Sequence, residues 1–316
     1  KMDRPIYTGN RRKNVRWRKI FLIVIILQLV LLSLYLYNRS KKSIEKPTDN
    51  ITNKVNADYL KKMNLPSEEK VIEKNNKSFN KISDKELAPI KKLFDLGNYD
   101  EAYNSIQPLL RRADENVINL LGQINMRRLL SSQPMQDKIF YVVKSGDYLQ
   151  KIANKFNTTV ALIKIMNGLQ TDTIRTGSRL IVFNGTFTIK VSKTNNFLDL
   201  IHRDKLFKRY PVGTGKFGKT PAVEFFIYDK IIEPPWTRPE DNRHIEYGDP
   251  ENVLGTRWMA LRSINNPSLK GFGIHGTWER DSIGAQSSAG CVRMFNEHVE
   301  ELFDIIPRKS RVIIQN

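Results

Sequence analysis

The sequence predicts a multidomain chain: an N-terminal transmembrane helix, a flexible tether, a small α-helical module, a βααβ module and a mainly-β C-terminal domain. Three observations carry this reading. An uncharged apolar run occupies residues 20–37, helical periodicity fills about 85–132, and strand-type alternation dominates 186–316.

Residues 1–19 read as a basic tail on the cytoplasmic side. The run from Ile20 to Tyr37 is interrupted only by the polar Gln28 and Ser33. At about 1.5 Å per residue it reaches about 27 Å, close to the thickness of a hydrocarbon core. Arg11, Arg12, Lys13, Arg16, Arg18 and Lys19 precede it, so the N-terminus stays cytoplasmic and the rest is exported. No small-x-small cleavage pattern follows, which predicts an uncleaved, single-pass signal anchor in the cytoplasmic membrane. Residues 38–84 are rich in Lys, Asn, Ser and Glu; too little apolar surface is available to offset ordering entropy, which predicts a flexible linker.

The chain carries 52 Lys and Arg against 33 Asp and Glu, a net charge of +19. The basic residues are dispersed and accompany no nucleic-acid motif, so anionic envelope polymers are the expected neighbours and nucleic acid is not. Four histidines and one cysteine, with no metal-ligand spacing, predict neither a metal site nor a cofactor.

Within 85–132, Leu87, Ile90, Leu93 and Phe94 mark one helix, ended by Gly97-Asn98. Ala102, Ile106, Leu109 and Leu110 mark a second, and a third covers about Val117 to Leu130. The run from Gly97 to Ala102 resembles one tetratricopeptide-like helix pair. A single unit is too short for a solenoid, so the expectation is a small spacer or a docking module for a protein partner.

Between 139 and 184, Tyr141-Val142-Val143 reads as a strand, and Leu149, Ile152, Ala153 and Phe156 form one helical face that Asp147 is expected to cap. Leu162, Ile163 and Met166 form a second helix, Asn167-Gly168 turns the chain, and Leu180 to Val182 closes as a strand. This pattern resembles a LysM module. The resemblance implies binding of N-acetylglucosamine-containing glycan strands, with Gly146, Asp147, Tyr148 and Gly168 as candidate loop contacts.

From residue 186 onward alternation predominates, as at Phe187, Ile189 and Val191. The segment from Pro234 to Asn252 lacks a clear period and is long for a plain connection, which predicts a binding loop with Trp236 and Tyr247 as stacking candidates. Asn296 is expected to cap a helix carrying Val299, Leu302, Phe303 and Ile306. His202, His244 and His298 have no motif context and read as surface or structural residues. Gly213 to Thr220 fits the letters of a phosphate loop, but Val223, Phe225 and Ile227 alternate after Pro221. A strand there supplies no helix N-terminus for phosphate.

The most informative stretch is Ser288-Ala289-Gly290-Cys291-Val292-Arg293, preceded by His275-Gly276-Thr277. A lone cysteine is most often a small buried hydrophobe. Here Gly290 permits close approach, Arg293 favours the thiolate and His275 offers a base, which together suit acyl transfer through a thioester. With Pro211 to Gly215, Thr220-Pro221, Leu254 to Trp258 and Ser282-Ile283-Gly284, these residues resemble an L,D-transpeptidase catalytic domain of the YkuD type across 186–316.

The resemblance implies a mainly-β fold in which Cys291 is the nucleophile and His275 the general base and acid, the imidazole being oriented by the carbonyl of Gly276. It implies attack on a peptidoglycan tetrapeptide stem, release of D-alanine, and cross-linking to an amine acceptor. Backbone N–H groups near Gly290 and Cys291 are the implied oxyanion hole. Ser288 is expected to brace the turn, and Arg293 either binds a substrate carboxylate or braces the loop. The pattern departs from the family at Ala289, where many members have histidine, and at Val223, where glycine is usual. Three other outcomes share these residues: an L,D-carboxypeptidase using water, a transferase joining a protein to peptidoglycan, and a non-catalytic peptidoglycan-binding protein.

Overall fold

The computed structural model describes Gln28 and residues 82–316. The basic tail, the apolar run read as an anchor and nearly all of the tether therefore lie outside the described residues. Among the described residues no helix is long and apolar enough to cross a membrane.

Three helices come first: α1 (Asp84–Asp95), α2 (Tyr99–Ile106) and α3 (Glu115–Leu130), with a 3₁₀ turn at Gln107–Arg112 between the last two. Ser83 and Glu86 start α1 with a reciprocal capping box. Asp114 starts α3, accepting from the N–H groups of Asn116 at 2.9 Å and Val117 at 3.3 Å. Its second carboxylate oxygen accepts from Ile82 N–H at 3.0 Å, which fixes where the chain enters the module.

Helix α3 buries residues over most of its circumference, from Val117 to Leu130, so it is covered on more than one side. Leu120, Leu121 and Ile124 meet Leu87, Ile90, Ala102 and Ile106 of α1 and α2. Another part of α3 lies on strand β5 (Lys205–Pro211), where the Asn125 side-chain amide donates to the Phe207 carbonyl at 2.8 Å. Gly122 lets this contact close, since a Cβ there would stand 2.9 Å from Lys208 Cγ. The helical module is thus no free spacer; it covers the edge of a sheet.

Strands β1 (Lys138–Val142) and β2 (Arg179–Phe183) pair antiparallel around α4 (Leu149–Lys155) and α5 (Val160–Asn167). Asp147 does not cap α4. Its carboxylate accepts from Tyr141 O–H at 2.6 Å and Lys144 N–H at 2.9 Å, and Lys151 Nζ stands 3.2 Å away. The competing partner is the Tyr141 hydroxyl, which would otherwise lack an acceptor in a packed position. Asn167 ties α5 to β2 through bonds of 2.7 Å to both the N–H and the carbonyl of Ile181.

The remaining chain builds a mixed eight-stranded sheet in the order β13-β11-β10-β7-β14-β3-β4-β5. Its strands are β3 (Phe187–Ser192), β4 (Phe197–His202), β5, β7 (Glu224–Ile232), β10 (Arg257–Ser263), β11 (Gly273–Thr277), β13 (Val292–Phe295) and β14 (Arg311–Gln315). Short pairs β6 (Thr214–Gly215) with β12 (Gln286–Ser288), and β8 (Trp236–Thr237) with β9 (His244–Ile245), lie outside it. After Thr220 the chain passes through Pro221 into strand β7 from Glu224, so no helix follows the phosphate-loop letters. Helix α6 (Asn296–Ile305) packs near β11 and β10.

Beside a cluster inside each small module, one larger apolar cluster reaches across all three parts. Leu129 and Leu130 of α3, together with Leu162 and Met166 of α5, join Ile189, Leu200, Phe225, Leu302 and Val312 of the sheet domain in a single cluster. The Thr159 hydroxyl donates to the Asp304 carbonyl across the same boundary. His202 and His298 are buried and His244 is exposed.

Candidate active site

The sheet places the chemistry by register. Strands β11 and β13 run parallel with His275 opposite Arg293, and β10 pairs with β11 so that Trp258 faces His275. Side chains two apart on a strand share a face. His275 and Gly273 therefore lie on the same face as Arg293 and Cys291, which immediately precedes β13. Trp258 covers the imidazole, the ring centroids lying 5.6 Å apart. Gly273 is required here because a Cβ would come within 2.5 Å of the Trp258 ring.

His275 Nδ1 stands 2.6 Å from the Gly276 carbonyl oxygen. A carbonyl only accepts, so Nδ1 carries hydrogen and Nε2 is left as the basic nitrogen. Burial lowers the imidazole pKa to about 4, despite support of the protonated ring from the Gly276 and Leu254 carbonyls; the Arg293 charge lowers it further. The half-buried thiol of Cys291 donates to the Gly271 carbonyl at 3.6 Å. Desolvation pushes it up to about 11, opposed by the Gly273 N–H and Arg293. The resting pair is therefore neutral thiol and neutral imidazole.

The nucleophile loop is held from two sides. The Ser288 hydroxyl donates to the Cys291 carbonyl at 2.7 Å and accepts from Gly290 N–H at 3.1 Å. That second bond engages the Gly290 N–H in the loop's own turn. Buried Thr220 accepts from Gly215 N–H and donates to the Gly290 carbonyl, both at 2.8 Å. Because the peptide is trans, fixing the Gly290 carbonyl toward Thr220 turns the Cys291 N–H the opposite way. Gly290 itself has φ +143°, a conformation L side chains rarely adopt. Sequence reading recognised Thr220 only as a landmark; its clamp spans seventy residues and no local signal announces it.

Asn296 is the first residue of α6 and does not cap it. Its side-chain oxygen accepts from Thr256 N–H at 3.1 Å, and it fills the space above Gly255 and Gly276. The side chain is drawn to that turn because Gly255, at φ +63°, brings the Thr256 N–H within reach. This packing sets the height of Gly276 beneath the imidazole.

Trp236 and Tyr247 sit in the excursion between β7 and β10. Trp236 pairs in β8 with Ile245, and the Arg238 guanidinium lies 5.9 Å from its ring. Buried Asn252 knots the excursion, its amide donating to Pro234 O at 3.0 Å and its oxygen accepting from Leu254 N–H at 2.9 Å. In the βααβ module Gly146 and Gly168 are turn glycines with positive φ, Tyr148 is 61% exposed, and Asp147 is turned inward. Among the described residues no cluster of three or more His, Cys, Asp or Glu side chains could hold a metal ion.

The YkuD family of L,D-transpeptidase catalytic domains matches residues 186–314, and the LysM domain family matches 141–183. A Bacillus licheniformis protein named for this class, L,D-transpeptidase YkuD, is 35% identical over 184 residues, covering 56% of this chain and 98% of its own. Bacillus subtilis L,D-transpeptidase YqjB is 38% identical over 125 residues, covering 39% of this chain and 68% of its own. Among solved structures, L,D-transpeptidase 3 from Mycobacterium tuberculosis aligns with a TM-score of 0.34 and 12% identity, covering 43% of this chain and 66% of that one. The sheet register that brings Cys291, His275 and Arg293 to one face, together with a 35%-identical relative matched over 98% of its length, makes this chain an enzyme of the L,D-transpeptidase class and a member of the YkuD family, with a LysM module ahead of its catalytic domain.

Proposed function

We propose that this chain cross-links peptidoglycan from the outer side of the cytoplasmic membrane, using Cys291 to take an acyl group from a tetrapeptide stem. The observation that carries the chemistry is the shared sheet face of Cys291 and His275, with Nδ1 held by the Gly276 carbonyl at 2.6 Å. Cys291 Sγ attacks the carbonyl of the third stem residue as its proton passes to His275 Nε2. The Cys291 N–H, turned away from Thr220, stabilises the oxyanion. Collapse breaks the bond to D-alanine, whose nitrogen takes the proton from His275, and leaves a thioester. An amine of a second stem then attacks, giving its proton to His275; the new amide forms and the thiol is restored.

A neutral resting pair suits this order of events. A thiol at about 11 and an imidazole at about 4 make proton transfer unfavourable until the developing oxyanion meets its donor, so reactivity is coupled to a correctly seated carbonyl. The glycan strand is read as bound at the LysM loops through Gly146, Tyr148 and Gly168. The apolar run 20–37 and its basic flank support single-pass anchoring.

The test incubates the full chain and Cys291→Ala with a disaccharide-tetrapeptide, then separates and weighs the products. A cross-linked dimer lacking one D-alanine, absent with Cys291→Ala, establishes transpeptidation by this thiol. Tripeptide alone assigns water as the acceptor. No product from a folded protein that still binds glycan refutes the catalytic reading of this site.

A further inference from the structure

Arg293 stands on the catalytic face and its charge acts on both Cys291 and His275. Its side chain is 13% exposed and its Nε is buried with no hydrogen-bond partner among the described residues. One terminal nitrogen, Nη1, meets Glu279 Oε2 at 2.8 Å. A largely desolvated guanidinium is costly unless paired, and a planar carboxylate suits the terminal nitrogens of its fork; the buried Nε lies beyond a ligand's reach.

Glu279 is an unusual partner for it. Its side chain is 64% exposed, whereas its backbone is fastened: the N–H donates to Thr277 Oγ1 at 3.1 Å and the carbonyl accepts from Ser282 Oγ at 2.6 Å. The carboxylate can therefore swing into water without moving the loop. An ion pair this open contributes little to stability. The neighbouring Arg280 does not compete for Glu279, because it pairs with Glu297 at 2.8 Å.

We propose that Arg293 is a carboxylate subsite beside the nucleophile, and that Glu279 is its resident anion, displaced when the free C-terminal carboxylate of the donor stem arrives. The assignment of that carboxylate to a donor stem rests on the function proposed above. Residues two apart on a strand are separated by about 7 Å. That backbone spacing sets the two side chains next to each other on one face, and the carboxylate of the residue being released lies one residue beyond the scissile carbonyl. When that residue departs, Glu279 returns to Arg293, which closes the subsite to the product. Glu279 acts through Arg293 and is a positioning residue.

The experiment measures alkylation of Cys291 in the full chain by iodoacetate, which carries a carboxylate, and by iodoacetamide, which does not. Glu279→Gln frees Arg293 and raises the iodoacetate-to-iodoacetamide rate ratio about 5-fold at low salt, an effect that shrinks as salt is added. Arg293→Lys keeps a cation and retains part of the preference; Arg293→Gln lowers the ratio below that of the unaltered chain. A ratio unmoved by Glu279→Gln, or equal changes with both reagents, overturns the subsite. Glu279→Gln also lowers KM about 3-fold or more for a tetrapeptide donor and leaves its C-terminal amide unaffected; equal effects on acid and amide overturn displacement. A shifted ratio in a protein that consumes no tetrapeptide leaves the subsite standing and refutes the donor instead.

Discussion

Replacing Thr220 by valine removes a single oxygen and keeps the shape. Thr220 is 1% exposed, and its hydroxyl bridges Gly215 N–H and the Gly290 carbonyl, each at 2.8 Å. Valine leaves one donor and one acceptor without this partner in a buried place. At about 1–3 kcal/mol for each such group, and with a small return from the added methyl, the expected loss is about 2–4 kcal/mol. For a folded unit of this size that lowers Tm by about 5–15 °C. Thr220→Ser keeps the hydroxyl and loses only a methyl, about 1 kcal/mol. The functional consequence is sharper than the loss of stability. A released Gly290 carbonyl lets the Gly290–Cys291 peptide rotate, which misdirects the Cys291 N–H. Loss of one oxyanion donor costs about 100–1,000-fold in acyl transfer, whereas alkylation by iodoacetamide develops no oxyanion and changes by about 3-fold or less. Thermal melts, alkylation rates and acylation rates measured below the melting range separate the two effects. Acylation and alkylation falling in parallel would refute the reasoning, because the thiol and not the peptide would then have moved. An unchanged Tm would remove its energetic basis.

Tyr148→Ala weakens retention on insoluble peptidoglycan about 10-fold with Tm unchanged, since the ring is exposed; Asp147→Asn instead lowers Tm, because that carboxylate, held down to about 2 chiefly by the Tyr141 and Lys144 bonds, is structural. Cys291 alkylation rises steadily with pH toward about 11 instead of levelling near neutrality, as stopped-flow rates between pH 6 and 10 will show. His275 is buried neutral, with a folded pKa of about 4 below its unfolded value. Its contribution to stability is complete above about pH 6.5 and is lost as pH falls through about 4, costing about 3 kcal/mol; His275→Asn flattens that part of the stability–pH curve measured by urea titration. Asn125→Ala leaves the Phe207 carbonyl without its amide partner, costs about 1–3 kcal/mol, and speeds hydrogen exchange along β5.

The candidate site was legible because its signals are local: the glycine before Cys291, the glycine after His275, and strand alternation that carries both to one face. The errors arose where a side chain had two suitors. Asp147 and Asn296 both stand at the start of helices and read as caps, yet Asp147 answers Tyr141 on the neighbouring strand and Asn296 answers Thr256, forty residues away. A cap is worth about 1 kcal/mol, and a buried hydroxyl or a tight glycine turn outbids it. Glu279 had no motif at all; its meaning depends on Arg293, fourteen residues away. The docking of α3 did leave a trace. A helix with apolar residues over most of its circumference and a polar Asn125 in its middle cannot serve as one face of a spacer, and that asparagine marks where a foreign backbone approaches.

The core that links α3, α5 and the eight-stranded sheet changes what counts as a unit in this protein. The boundaries near residues 132 and 186 mark changes of motif in the sequence, and the packed core runs across both of them. An excised fragment beginning at 186 would bare the β5 backbone to any passing strand and expose the surfaces that Leu130, Leu162 and Met166 now cover. Swapping the LysM module for one from another protein would demand a matched apolar footprint, not merely a compatible linker.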